Sequence, residues 1–326
     1  MGLKHFLVAA GAVAAVHCGS APTVQPSPVI DDPVVSCPEN ITVTAHNGSS
    51  PTIVFDTPAP QKGAPPVTVT CTPASGTEFK AGTSTVTCEA VDSRQHKGSC
   101  SFSVVVNAIP QLLKTKFMAF GDSLTEGKIS LTAGGVVLVP SGTFNSSSSY
   151  VEQLSLKLAA RYQDQTTTVI AQGWGNEEAG EGKNRLPGAL TTYNPDVLLL
   201  LEGVNDLLHT SDPTKMQAAI DSALNALRTM CVTARSRGVK VYVATLTPLD
   251  PAKNHFFQAP AVNTLNGLIR TMAAQESATL VDLNQAVPLS LVGSDGIHLT
   301  SQGYAVVADE WMKAIQATLE AKTALQ

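Results

Sequence analysis

The chain has 326 residues, of which 43% are hydrophobic and only 14% are charged, and its formal net charge at pH 7 is −5. This length exceeds that of one typical domain, so two domains are expected, with enough apolar residues for a sizeable core. The mild negative charge and the lack of a basic stripe argue against nucleic acid as a partner.

Residues 1–21 are predicted to be an export signal. Their apolar run, residues 6–16, is too short to span a bilayer and follows a basic start. Cys18 comes directly after it, which resembles a bacterial lipoprotein signal in which this cysteine is lipidated, although His17 stands where a small residue is expected. Ordinary cleavage near Ala21 is the alternative. Either route predicts an exported protein. Lipidation of Cys18 would anchor it in the cell envelope as its only membrane contact, whereas cleavage near Ala21 would release it as a secreted protein.

Residues 22–36 are rich in Pro, Ser and Val and are interpreted as a linker, and residues 37–108 follow as a β-rich module. Runs such as "ITVTAH", "VTVTC" and "CSFSVVV" alternate with period two and are punctuated by Gly and Pro. Short alternating strands of this kind predict a small all-β sandwich.

Four of the six cysteines lie within this module: Cys37, Cys71, Cys88 and Cys100. In an exported β-rich module they indicate two disulfides. Four cysteines allow three pairings, of which we favour Cys37–Cys100 with Cys71–Cys88. A zinc site is the competing interpretation, but the module has neither a CxxC pair nor histidines at ligand spacing, and we predict no metal.

The module resembles the hyalin repeat (HYR), an immunoglobulin-like domain, through "CPENITV", "PPVTVTCTPASGTEFKAGTSTVTCEAVD" and "GSCSFSVVV". The resemblance implies a role in adhesion or spacing, such as contact with an extracellular glycan or matrix. No acids, bases or nucleophiles cluster in this stretch, so we expect no chemistry there.

From residue 112 to residue 326 the pattern changes to apolar strands that alternate with helices. Strand-like runs occur at 116–120, 167–171, 196–202, 239–245 and 279–283. The clearest helix has Asp212 as N-cap, Pro213 at its first position and Gly238 at its C-cap, and it directs Cys231 toward the core. Alternating strands and helices predict a parallel sheet covered on both faces, with ligands beyond the carboxyl ends of its strands.

Chemically competent side chains follow these strand ends. Ser123 comes after the first strand, Gly173 after the second and Asn205 after the third, while Asp295 and His298 precede a long helical segment. Serine becomes a nucleophile when a base such as histidine takes its proton, and a carboxylate orients that base. Backbone N–H groups at Ser123 and Gly173, with the Asn205 amide, would stabilise the oxyanion.

The motifs "GDSLTEG", "GWGNE", "GVND" and "DGIH", in this order, resemble those of the SGNH hydrolases, also called the GDSL esterase/lipase family. The resemblance implies a flavodoxin-like three-layer α/β/α sandwich with a parallel five-stranded sheet of order 2-1-3-4-5. It also implies nucleophile Ser123, base His298 with Asp295, an oxyanion hole of Ser123, Gly173 and Asn205, an ester substrate, and no cofactor. Two departures, Ala171 for a frequent Asn and Asn176 for a frequent Gly, affect the loop that carries Gly173.

Several assignments keep an alternative. His209 and His255 are rival bases. Trp174 either lines an acyl or leaving-group pocket or simply packs.

Four acidic residues near the motifs are expected to have no catalytic role. Asp122 is expected to form a turn or local hydrogen bond, whereas Glu126, Glu177 and Glu178 are expected to be solvated loop charges. Residues 128–149 are expected to form an apolar lip over the serine, because the segment directly follows the nucleophile turn, with a small hairpin as the alternative.

The predicted function is that of an exported serine esterase that acts on carbohydrate O-acetyl esters or on lipid or short-chain acyl esters. The alternative is a surface adhesion protein with an inactive hydrolase-like domain.

Overall fold

A computed structural model describes residues 1–2, 29–130, 136–137, 148–253, 255 and 257–321. The predicted signal segment and Cys18 lie outside the described residues. The described chain divides into two compact units. One takes in Met1–Glu39, Phe55–Ser75 and Thr85–Phe102, and the other Asn40–Val54, Gly76–Ser84 and Ser103–Gln326. Within the described part of the chain, none of the helices is long and apolar enough to span a membrane.

The N-terminal region is strand-rich, as the alternating pattern predicts. Its strands are β1 (Ile41–Ala45), β2 (Thr52–Ile53), β3 (Thr68–Thr72), β4 (Thr77–Glu78), β5 (Gly82–Val91) and β6 (Lys97–Ala108). β1 pairs with β6 in parallel, while β3 pairs with β5 and β2 with β4 antiparallel. Every second residue near the end of β5 is buried, which is the period-two pattern of a half-buried strand.

Both favoured disulfides are present in the structure. Cys37 is bonded to Cys100 and Cys71 to Cys88. Cys71 and Cys88 face each other across β3 and β5. Two covalent cross-links limit the conformations of the unfolded chain, which supports a small module with a small core.

Five parallel strands form the sheet of the C-terminal region: β7 (Lys116–Gly121), β10 (Thr168–Gly173), β11 (Val197–Leu201), β12 (Lys240–Ala244) and β13 (Thr279–Val281). Their order is β10-β7-β11-β12-β13, which confirms the predicted order 2-1-3-4-5. All five residues of β11 are buried, as expected for a central strand covered on both faces.

The first strand, β7, lies between the second and the third, so successive connections leave it in opposite directions. Such a switch point opens a crevice at the carboxyl ends of the strands. Gly121 of β7 lies level with Gly173 of β10 and Leu201 of β11. The loops that follow these three residues therefore meet at one edge of the sheet.

Helices surround the sheet. They are α1 (Ser123–Glu126), α2 (Tyr150–Arg161), α3 (Ala179–Tyr193), α4 (Val204–Leu208), α5 (Met216–Ser236), α6 (Gln258–Gln275), α7 (Leu283–Ala286) and α8 (Ser301–Leu319). α3 packs against α5 and α5 against α6, while α2 packs against α8. The predicted three-layer α/β/α architecture is confirmed.

The helix predicted after Asp212 begins with a short 3₁₀ turn, Pro213–Lys215, and continues as α5. Asp212 accepts a hydrogen bond from the backbone of Thr214, and Gly238 adopts a left-handed conformation after the helix ends. Cys231 lies on the buried face of α5 as expected, and burial raises the pKa of its thiol to about 12.

Part of the 128–149 segment is described. β8 (Ile129–Ser130) pairs antiparallel with β9 (Val136–Val137). This pairing favours the hairpin over the lip for that part, while residues 131–135 and 138–147 lie outside the described residues.

Candidate active site

The nucleophile turn joins β7 to α1. Asp122 is the N-cap of α1, and its Oδ1 accepts a hydrogen bond from the N–H of Leu124 at 2.9 Å, which confirms the local role expected for it. Gly127 ends the helix in a left-handed conformation, with φ of 89°. Ser123 is therefore fixed at the first position of a one-turn helix, at the carboxyl end of the central part of the sheet.

The chain between β13 and α8 brings His298 to this serine. His298 Nε2 lies 2.9 Å from Ser123 Oγ, and His298 Nδ1 lies 2.7 Å from Asp295 Oδ2. Ser123 and His298 are both buried. The three side chains thus form a continuous hydrogen-bonded chain from carboxylate to hydroxyl.

The Asp295 carboxylate is held in its charged form. Partial burial would raise the pKa of Asp295, but the His298 side chain and the backbone N–H groups of Ile297 and His298 all donate hydrogen bonds to it. These bonds outweigh burial and hold the pKa well below its ordinary value. A charged Asp295 orients the imidazole ring and stabilises its protonated form.

A cavity of about 420 Å³ opens over the serine and histidine. It is lined by Ser123, Lys128, Asn176, Asn205, Leu208, His209, Asp295, Ile297 and His298. Only Leu208 and Ile297 of these described lining residues are aliphatic. Most of the side chains around the hydroxyl are therefore polar.

Asn205 belongs to this cavity. It lies in the first turn of α4, after Gly203, whose φ of 113° is available to glycine without strain. Its Nδ2 donates to the backbone oxygen of Glu177 at 2.8 Å. This bond ties the loop after β11 to the loop after β10, so the amide is fixed beside Ser123.

Gly173 lies against the backbone of α1. A Cβ at this position would come within 2.0 Å of the Glu126 nitrogen and 2.4 Å of the Thr125 carbonyl carbon, so only glycine allows the approach. The residue of this loop that lines the cavity is Asn176, which the sequence analysis did not assign to the site. Its φ of 65° is left-handed, a conformation that asparagine tolerates better than most residues. The presence of Asn176 where the family frequently has glycine was the feature of the sequence that could have indicated a role for this residue in the site.

The rival histidines have other partners. His209 Nδ1 lies 2.8 Å from Glu178 Oε1, at the rim of the cavity. His255 Nε2 lies 2.9 Å from the backbone oxygen of Asp295. Of the three histidines, His298 is the one that contacts Ser123 Oγ, so it is the candidate base rather than His209 or His255.

The acidic residues near the motifs are more buried than expected. Glu126 and Glu177 were interpreted as solvated loop charges, and this interpretation is wrong because both are buried. Arg185 of α3 compensates Glu177: its Nε and Nη2 contact the two carboxylate oxygens at 2.7 and 2.5 Å. Glu178 has a structural role instead, in the capping box of α3.

Arg185 also joins the two strand ends. Its Nη2 donates to the backbone oxygen of Gln172 at 3.1 Å, and its guanidinium stacks 3.9 Å from the centre of the Phe120 ring. The side chain therefore connects α3, β7 and β10 directly beneath the site. Sequence pattern alone gave no signal for this role.

Three more carboxyl groups share this buried region. Burial first, and then the charges of Glu177 and Asp206, raises the pKa of Asp122 to about 7. Burial also raises the pKa of Asp206 to about 6 and that of Glu202 well above its ordinary value. These buried carboxyl groups therefore keep their protons to a higher pH than exposed carboxyl groups do.

Trp174 lies half exposed beside the site. Its ring faces the Arg185 guanidinium at 4.8 Å. It lines an open cleft of about 530 Å³ together with Gly175, Asn176, Glu177, Glu181, Asn184 and Arg185. Of the two interpretations of Trp174, lining a pocket is the one that this position favours.

Among the described residues, one group of three potential metal ligands comes together, formed by Cys37, Cys88 and Cys100. All three sulfurs are bonded in the two disulfides. These sulfurs are therefore engaged in covalent bonds rather than available as thiolate ligands.

Structural comparison supports the fold. The carbohydrate acetylesterase Est24 from Sinorhizobium meliloti is 19% identical with a TM-score of 0.50, covering 63% of this chain and 99% of its own. A lipase/acylhydrolase from Enterococcus faecalis is 20% identical with a TM-score of 0.50, covering 64% and 98%. A variant of the acetyl xylan esterase Axe2 from Geobacillus stearothermophilus is 17% identical with a TM-score of 0.50, covering 62% and 94%. No curated protein matches the chain.

Two family models match the sequence. The HYR domain model matches residues 30–106, starting within the predicted linker. The model of the GDSL-like lipase/acylhydrolase family matches residues 119–306, which is more than half of the chain and contains every side chain of the site. The chain therefore belongs to the GDSL-like lipase/acylhydrolase family and is a carboxylic ester hydrolase.

Proposed function

We propose that this protein hydrolyses short-chain acyl esters of polar alcohols through an acyl-enzyme formed on Ser123. The observation that carries the proposal is the hydrogen-bonded chain from Asp295 through His298 to Ser123 Oγ. A serine hydroxyl is a weak nucleophile unless a base takes its proton as it attacks. Here the base is in hydrogen-bond reach and its other nitrogen is already occupied by a carboxylate.

In the first step His298 Nε2 removes the Ser123 proton while Oγ attacks the ester carbonyl carbon. The charge moves to the carbonyl oxygen, and Asp295 stabilises the imidazolium. Collapse of the intermediate breaks the bond to the alcohol, which takes the proton from His298 as it leaves. Water then attacks the acyl-enzyme with the same histidine as base, and His298 passes this proton to Ser123 Oγ as the acid is released.

The oxyanion requires donors in the cavity. The Asn205 side chain and the Ser123 N–H, at the start of α1, are suited to this by position. From the sequence motifs, the third donor is expected to be the N–H of Gly173. Because Asn176 lines the cavity whereas Gly173 lies against α1, the N–H of Asn176 is the competing assignment.

The cavity lining supports a short acyl chain on a polar alcohol. A long acyl chain requires an extended apolar surface, and the described lining offers Leu208 and Ile297 among mostly polar side chains. Two proteins of similar fold are named as acetylesterases, which agrees with this choice. A lipid ester is the alternative.

We further propose that the protein is exported. The support is the predicted signal at residues 1–21 and the two disulfides, which persist in oxidising compartments. Anchoring through a lipid on Cys18, and contact of the HYR domain with glycan or matrix, belong to the same proposal.

The test is labelling with a fluorophosphonate, which reacts with an activated serine. We expect labelling of the wild-type protein and of the control Ser236→Ala, which removes an exposed hydroxyl of α5. Labelling is expected to disappear in Ser123→Ala and to fall sharply in His298→Ala, with turnover of p-nitrophenyl acetate reduced roughly 10⁴-fold or more in both.

A folded wild-type protein that takes no label would contradict the acyl-enzyme mechanism and favour an adhesion protein with an inactive hydrolase-like domain. The preferred chain length in a p-nitrophenyl ester series tests the substrate separately. A preference for octanoyl or longer esters over acetyl would favour the lipid ester.

A further inference from the structure

We propose that the open cleft beside the reaction cavity, lined by Trp174, Asn184 and Glu181, binds a sugar ring of the alcohol part of the substrate. The substrate class is then an O-acylated oligosaccharide. This inference rests on the proposed function, since it names the alcohol that leaves Ser123.

The cleft borders the reaction cavity. Asn176 lines both spaces. Glu177 lines the cleft, and its backbone oxygen accepts the amide of Asn205, which lines the cavity. An ester whose carbonyl lies over Ser123 can therefore extend its alcohol part past Asn176 into the cleft.

Trp174 provides a flat apolar surface in the cleft. It is 47% exposed, while the other tryptophan of the chain, Trp311, is fully buried. A tryptophan in this position offers a ligand a large, rigid apolar face with a polar N–H at its edge. The Arg185 guanidinium, 4.8 Å from the ring, holds this surface in place before a ligand arrives.

Asn176, Glu181 and Asn184 add exposed polar side chains to the cleft. Asn184 offers an amide, and Glu181 offers a carboxylate whose Oε2 also accepts the N–H of Glu178. A sugar ring combines an apolar C–H face with a rim of hydroxyl groups. It matches one aromatic surface surrounded by amide and carboxylate groups, whereas an alkyl chain would leave those groups without partners.

The first measurement compares two acetyl esters that differ in their alcohol, methyl β-xyloside carrying a single acetyl group and ethyl acetate, by the rate of acid release at constant pH. The quantity of interest is the ratio of kcat/KM for the sugar ester to that for ethyl acetate. We expect Trp174→Ala to lower this ratio about tenfold, equivalent to about 1.4 kcal/mol. Asn184→Ala is expected to lower it several-fold, mainly through KM.

Two variants serve as controls. Trp174→Phe keeps an aromatic face and should recover most of the ratio. Leu156→Ala removes an exposed apolar side chain from α2, outside the cleft, and should leave the ratio at the wild-type value. An unchanged ratio in Trp174→Ala, with both esters affected equally or not at all, would overturn the proposal.

A second measurement reads binding without catalysis. Unacetylated xylooligosaccharide is titrated into the Ser123→Ala protein and followed by tryptophan fluorescence, in which Trp174 is the exposed emitter. We expect a saturable change that is lost in Ser123→Ala/Trp174→Phe. Binding to the Ser123→Ala protein would support the cleft even if the mechanism assigned to Ser123 were wrong. Absence of any change in that protein up to high millimolar sugar would refute the sugar subsite.

Discussion

Replacement of Arg185 by Met tests how much stability the protein loses when the buried Glu177 carboxylate has no positive partner. The change removes two charge-assisted bonds to Glu177, whose side chain is 6% exposed while that of Arg185 is 14% exposed. It leaves a buried carboxylate without its cation. Removal of one partner from a buried ion pair costs about 3–5 kcal/mol, much more than the pair itself contributes. For a region of this size the midpoint of thermal unfolding should fall by roughly 6–20 °C.

The chain offers a matched control in Arg161, which makes the same two-pronged contact with Glu320 at 2.8 and 2.9 Å but is 40% exposed. Arg161→Met should cost about 1 kcal/mol or less, because exposed ion pairs are screened by water. The assays are urea unfolding at pH 7, for the free energies, and thermal unfolding, for the midpoints, both followed by far-ultraviolet circular dichroism.

The double variant Arg185→Met/Glu177→Gln completes a cycle. The cycle also requires the single variant Glu177→Gln. Because the double variant has lost both charges, we expect its loss of stability to be smaller than the sum of the losses of the two single variants, by about 2–3 kcal/mol. The reasoning would be refuted if Arg185→Met cost no more than Arg161→Met, or if the two losses simply added.

Two further predictions concern the nucleophile turn. Gly173→Ala would place a Cβ 2.0 Å from the Glu126 nitrogen, so we expect a loss of about 3 kcal/mol or more in urea unfolding. Gly180→Ala, a helical position with open space around it, should instead gain about 0.5–1 kcal/mol, and equal effects would contradict the steric argument. Because burial raises the pKa of Asp122 to about 7, the folded state holds this proton more tightly than the unfolded chain. Its stabilising effect is complete below about pH 4 and is lost as the pH rises to about 7, so Asp122→Asn should become more stable relative to wild type by about 1 kcal/mol or more between pH 4 and pH 8. A parallel pH dependence of both proteins would show that Asp122 does not titrate in this way.

The elements that could be predicted are those with a strong local pattern. The run 196–202 is a continuous apolar segment, and β11 occupies Val197–Leu201. The Asp212, Pro213 and Gly238 signals placed the ends of α5 correctly, although the first turn is 3₁₀. In both cases the residues that define the element are adjacent in sequence, so the pattern contains the information.

The parts that could not be predicted depend on distant residues. Glu177 carries no local sign of burial, because its partner Arg185 lies on the following helix and faces it only after folding. The spacing between an aspartate and a histidine does not by itself identify the catalytic base. Asp206 precedes His209 by three residues, just as Asp295 precedes His298. In the structure Asp206 accepts the N–H of Ala179, and His209 contacts Glu178.

The contact between Ser123 and His298 joins residues 175 positions apart. A chain that has been synthesised only as far as α6 therefore carries an ordinary alcohol at position 123, as does a full-length chain that has not yet folded. Any reactivity that depends on this contact begins with completion of the tertiary structure. The extent to which Ser123 reacts with a fluorophosphonate would then measure the fraction of natively folded molecules. A chain that has not yet folded would not hydrolyse the esters around it.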